Sequence, residues 1–215
     1  MAKSKDNDKI PLPTNTTDIK KWYTYIKKIK EHEPVKKTSC ECILANGKSN
    51  RSRTGDFEKF GLLEVINGYV YVTELGLELL NMFDGEKSPD RTEKISLMLK
   101  IFKSWHVTNG GRDIHPGNIM LKLLMDPLMD GRLSDHELAI FVGNKNFKTD
   151  DQYEEIRDCI LDFRSNTEGM CIAQTKRTKS YIFMPSFVSN WEIFDKLIDI
   201  AIKCDEESRT FSLLK

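Results

Sequence analysis

The 215-residue chain carries 33 Lys and Arg against 33 Asp and Glu, and 39% of its residues are hydrophobic. That balance suits a globular protein with a polar surface. It contains no apolar run of about 18 residues, the length a membrane-spanning helix needs. The leading MAKSKDNDKIPLPTNTTD lacks the apolar segment of a secretory signal, so a cytoplasmic location without membrane partners is expected.

Residues 1–15 are charged, Pro-containing and aperiodic, which predicts a disordered leader. Thr16 and Thr17 then offer N-caps for an amphipathic helix. Ile19, Trp22, Tyr23, Ile26 and Ile29 form its apolar set, and Pro34 ends it. Thr38 or Ser39 can cap a short second helix burying Cys40, Ile43 and Leu44, stopped by Gly47. Phe57, Phe60 and Leu63 share one stripe of a third helix. Leu62 to Ile66, Asn67-Gly68, and Tyr69 to Thr73 read as two strands around a two-residue turn, because Asn-Gly tolerates positive φ at both positions. Thr73 caps a further helix, and Asp84 to Pro89 reads as a boundary.

The second half is predicted to start with Ser88 capping a helix that runs to Trp105, followed by a break at Gly110-Gly111. His115-Pro116 opens another helix, ending near Pro127, and Ser134 with Glu137 forms a capping box. A helix from Asp151 to Arg164, strands at 170–174 and 181–184, and a terminal helix from Asn190 to about Cys204 complete the expectation.

The sequence offers little for catalysis. It has no GxGxxG, GxxxxGK[ST], HExxH or GxSxG. His32, His106, His115 and His136 show no i,i+4 pairing, and read as surface or capping residues. Cys40, Cys42, Cys159, Cys171 and Cys204 contain no CxxC pair, so free thiols are expected instead of zinc. No predicted strand bears the Asp/Glu-x-Lys set of a metal-dependent nuclease. Asp150 to Glu155 lacks the pattern of a calcium loop and suits a helix N-terminus. No catalytic residue, metal or small-molecule cofactor is expected in this chain.

The charge distribution is more informative. Residues 1–60 hold 14 basic and 8 acidic side chains, a net of +6, and residues 61–215 offset it. Helix, helix, helix, hairpin, helix is the winged helix-turn-helix order, in which the groove-facing helix presents its N-terminal residues to base edges. Here those are Ser49, Asn50, Arg51, Ser52, Arg53 and Thr54, with Lys48 just before them as a further DNA-binding candidate. Arg forks onto guanine and Asn bridges adenine, and this reading expects a specific role for Arg53. Lys20, Lys21, Lys27, Lys28 and Lys59 would supply phosphate contacts. In the acidic last third, Lys176, Arg177 and Lys179, with Tyr181 nearby, sit where a second wing would touch phosphate. The expected fold class is mainly α with small β-hairpins (α+β), as two tandem winged helix-turn-helix subdomains over 16–84 and 88–215.

The run Phe60-Gly61-Leu62-Leu63 … Gly68-Tyr69-Val70-Tyr71-Val72-Thr73-Glu74-Leu75-Gly76-Leu77-Glu78-Leu79-Leu80 resembles the first winged-helix domain of AlwI-like type IIS restriction and nicking endonucleases. So do His115-Pro116 with Ile119 to Leu124, Gly131 to Ser134 with Glu137 to Val142, and Ile156 to Arg164. The resemblance covers roughly residues 15–200. It implies two winged-helix-like subdomains reading an asymmetric double-stranded DNA site. A separate PD-(D/E)xK domain would cut with magnesium, and it is unmatched here, so Mg2+ is expected only for an associated nuclease domain or subunit. The alternatives are a stand-alone winged-helix transcriptional regulator, binding as a symmetric dimer, and a protein-binding scaffold.

Overall fold

The computed structural model describes residues 19–40, 51–84, 89–108, 111–134, 137–138, 142, 146–166, 202–205 and 210–213. Its architecture is mixed helix and small antiparallel sheet, α+β. The chain divides into two compact units, parting between His106 and Val107.

In the first unit, α1 (Ile19–Glu31) buries Trp22, Tyr25, Ile26 and Ile29. The strand β1 (Val35–Lys36) follows, then α2 (Arg51–Lys59). Trp22 stacks on Phe60 at 5.5 Å between ring centroids and meets Phe57 edge-on at 5.7 Å. Phe57 and Phe60 are buried, as their shared stripe predicts, whereas Leu63, also buried, lies beyond the helix in the strand that follows, which corrects its place on that stripe.

The hairpin forms where Asn-Gly places it, between β2 (Leu63–Ile66) and β3 (Tyr69–Val72). Asn67 and Gly68 both have positive φ, 50° and 81°, the requirement of a type I′ turn. Strand order is β1-β3-β2, with Val70 facing both Val35 and Val65. Val70 and Val72 are buried while Tyr69 and Tyr71 are half-buried, the alternation of a sheet with one covered face.

Thr73 then caps α3 (Glu74–Asp84): its Oγ1 accepts the Gly76 N–H at 3.1 Å and donates to the Gly61 carbonyl at 2.6 Å. The helix α4 (Arg91–Lys103) starts at Asp90, whose carboxylate accepts the Glu93 N–H while Glu93 accepts the Asp90 N–H. This reciprocal box corrects the expected cap at Ser88. α4 lies with α3 in the first unit, where Lys100 meets Glu78 at 2.6 Å. The expected partition instead places this helix at the start of the subdomain over 88–215.

The second unit holds α5 (Pro116–Met125), which starts at Pro116 as predicted. Missing an N–H costs nothing at a first helical position. Pro127–Met129 forms a single 3-10 turn, and Asp130 and Gly131, both at positive φ, lead into β4 (Arg132–Ser134). Ser134 and Glu137 make their capping box, with the Ser134 N–H donating to Glu137 at 2.7 Å. The Arg164 guanidinium of α6 (Tyr153–Ser165) reaches Glu137 at 2.7 Å and the carbonyls of Met129 and Arg132 at 3.0 and 2.7 Å.

β4 pairs with β6 (Thr210–Leu213), which also pairs with β5 (Ile202–Asp205), in the order β4-β6-β5. The expected terminal helix through Cys204 is therefore corrected at its end. Ile202 and Cys204 alternate with Lys203 and Asp205, a period of two that suits a strand. The strands expected at 170–174 and 181–184 lie outside the described residues, as does most of the expected helix.

Asp126 accepts the Tyr153 hydroxyl at 2.6 Å and the Leu128 N–H at 2.9 Å, with Arg157 3.6 Å away. The Tyr153 bond first, then the Leu128 N–H, hold its carboxyl below the ordinary 3.8. A depressed folded-state pKa gives stability that is present above the unfolded value and lost as pH falls through the folded one. Asp126→Asn should therefore flatten the acid limb of the urea midpoint below about pH 4, measured as midpoints from pH 7 down to pH 2. An unchanged slope would show that the carboxylate contributes nothing there.

Candidate nucleic-acid interface

α2 is amphipathic in an unusual way: its first four residues are Arg, Ser, Arg and Thr, and its apolar residues come late. Burial of Thr54, Phe57 and the following Phe60 defines its inward face. Glu58 and Lys59 remain 38% and 32% exposed, and Gly55, one turn before them, is half-buried. Positions three and four apart share a helix face. The period therefore puts positions 51 and 52 on the outward arc with 55, 58 and 59, and position 53 on the stripe of 57 and 60.

Thr54 departs from the expected base-contacting set. It is 4% exposed, and its hydroxyl lies 2.9 Å from that of Tyr25 on α1 in a buried pair. A buried hydroxyl needs a partner, and this one ties α2 to α1. Its polar character in the sequence reflects that internal bond.

The expected phosphate-contacting lysines divide similarly. Lys27 donates to Asp84 on α3 at 2.6 Å and to the Tyr23 hydroxyl at 2.8 Å. The Asp84 bond first, then Tyr23, raise its pKa, while Lys27 and then Tyr23 lower that of Asp84. Lys59 lies 3.8 Å from Asp56. Lys28 is half-buried on α1, and Lys20 and Lys21 fall in its first turn. Lys48, Ser49, Asn50, Lys176, Arg177, Lys179 and Tyr181 lie outside the described residues, and of Arg51, Ser52 and Arg53 the helical backbone is described.

A second basic pair escapes the sequence reading. Lys36 faces Tyr69 across β1 and β3, and the Lys37 N–H donates to the Gly68 carbonyl at 2.8 Å. These two residues thus lie at the turn end of β3, across that strand from Ile66, which is 48% exposed. Lys37 also meets Glu58 of α2 at 3.0 Å, linking the turn to the outward arc. The Lys36-Lys37 doublet is plain in the sequence; the pairing that carries it to the hairpin is not.

Among the described residues, no group of three His, Cys, Asp or Glu side chains is placed to hold a metal ion, and no helix is long and apolar enough to cross a membrane. Asp150 accepts the His115 N–H at 2.7 Å and lies 2.9 Å from its Nδ1, so this acidic residue serves the entry of α5.

No protein-family model matches the chain, and no curated protein matches it. Among solved structures, it is similar to a crystal structure of pyrene- and phenanthrene-modified DNA in complex with the BpuJ1 endonuclease binding domain. The TM-score is 0.53 and the identity 12%, over 98% of this chain and 83% of that one. The similarity is one of fold.

Proposed function

We propose that this chain is a sequence-specific double-stranded DNA recognition module of a type II, type IIS-like restriction endonuclease. Its nuclease domain or subunit would lie outside the chain. The observation that carries this reading is the likeness of fold to the BpuJ1 endonuclease binding domain, a domain seen in complex with modified DNA. In this reading the first unit is a winged helix-turn-helix with α2 as the recognition helix and the β2–β3 hairpin as its wing. The second unit is a further winged-helix subdomain, with Lys176, Arg177, Lys179 and Tyr181 as its phosphate contacts. No catalytic residue is assigned.

The chemistry of α2 agrees with that role. An arginine at position 51 lies on the outward arc at the N-terminal end of the helix, where base edges are met. Arg51→Ala should weaken binding by about 1–3 kcal/mol and relax one base position. Because position 53 falls on the stripe of Phe57 and Phe60, Arg53→Ala should cost less. Lys27 and Lys59 must exchange a carboxylate for a phosphate, so their net contribution is smaller than that of an uncommitted lysine.

Selection from randomised duplexes, followed by footprinting, tests the reading. One asymmetric site bound by a monomer, with affinity falling steeply as salt rises, is expected. Two half-sites about one helical turn apart would favour a dimeric regulator, and salt-independent binding a protein scaffold. Protein alone with magnesium should leave plasmid uncut.

A further inference from the structure

Two helices of the first unit contain a glycine, a poor helix former whose presence calls for a reason. For Gly76 in α3 the reason is internal. A Cβ there would meet the Leu62 carbonyl oxygen at 2.4 Å and Val72 Cγ1 at 2.7 Å, so only glycine lets the helix seat against the hairpin. Gly55 in α2 has no such neighbour: no described atom comes within 4 Å of where its Cβ would sit, and its φ is not left-handed. Neither backbone conformation nor contacts within the described residues require glycine. Yet it occupies the middle of the arc shared by positions 51, 52, 58 and 59, above the partly exposed Glu58 and Lys59.

We infer that Gly55 is a close-approach position, where bare helix backbone lies against the wall of a DNA groove. This rests on the DNA-recognition reading above and adds to it the residue that sets how deeply α2 sits. A side chain at 55 would stand between the helix and the duplex. Positions 51 and 52, one turn earlier on the same arc, would then be held farther from the bases. The penalty is steric and removes no charge, so it should leave the number of phosphate contacts unchanged.

The test compares Gly55→Ala and Gly55→Leu with wild type on a labelled duplex recovered by wild type from a randomised pool. Both variants should unfold at higher urea, because alanine and leucine are better helix formers. Both should bind more weakly, alanine by about tenfold and leucine by more, with the slope of affinity against salt unchanged. Alanine binding as tightly as wild type would overturn the inference and leave the DNA-recognition reading standing. A fall in the urea midpoint would overturn it by showing that the glycine serves the fold. A wild-type chain that enriches no duplex would overturn both.

Discussion

Gly76→Ala should lower the stability of the first unit by about 3 kcal/mol, toward the upper end of what overfilling a well-packed site costs. Alanine gains about 1 kcal/mol of helix propensity over glycine, so the sign depends on the clash. The obstructing atom at 2.4 Å is a backbone oxygen, which cannot rotate away as a side chain would. That same Leu62 carbonyl accepts the Thr73 N–H at 3.2 Å. Lifting α3 to make room would thus loosen the capping residue that starts the helix. Asn81→Ala, at an exposed position of the same helix, should change stability by less than about 0.5 kcal/mol. Urea titration followed by circular dichroism separates the two, and equal effects would mean that α3 accommodates a methyl group against the hairpin.

Glu137→Ala should cost the second unit a comparable amount, about 3 kcal/mol. Glu137 is 5% exposed and accepts both from Arg164 and from the Ser134 N–H. Its removal strips a half-buried guanidinium of its counter-charge and unties a helix start at once. Arg164 keeps the Met129 and Arg132 carbonyls, which limits the loss. Removing Arg164 as well should restore part of the stability, because the orphaned cation is gone. A double variant as unstable as the sum of the singles would show that the two side chains act independently.

How far the sequence reveals this molecule depends on the range of the interactions involved. The Asn67-Gly68 turn, the Thr73 cap, Pro116 and the Ser134–Glu137 box are local chemistry, and each forms where its residues stand. β1 spans two residues, too few for any period to show, and exists because β3 offers it an edge. β4 takes its partner from residues 210–212, a pairing no local pattern announces. In the candidate interface, composition marks the start of α2 as polar and basic. It cannot tell Thr54, bonded inward to Tyr25, from a neighbour on the outward arc. Nor can it tell that Lys27 lies beside Asp84, 57 residues along the chain.

The middle position of β6 between β4 and β5 has a consequence for the order of events during synthesis. Every described element of the first unit precedes His106, so its hairpin and helices can assemble while translation continues. β4 and β5 must both wait for residues 210–213 to leave the ribosome before either gains its neighbour. The sheet of the second unit, unlike the hairpin of the first, closes only around a strand made about 80 residues after β4.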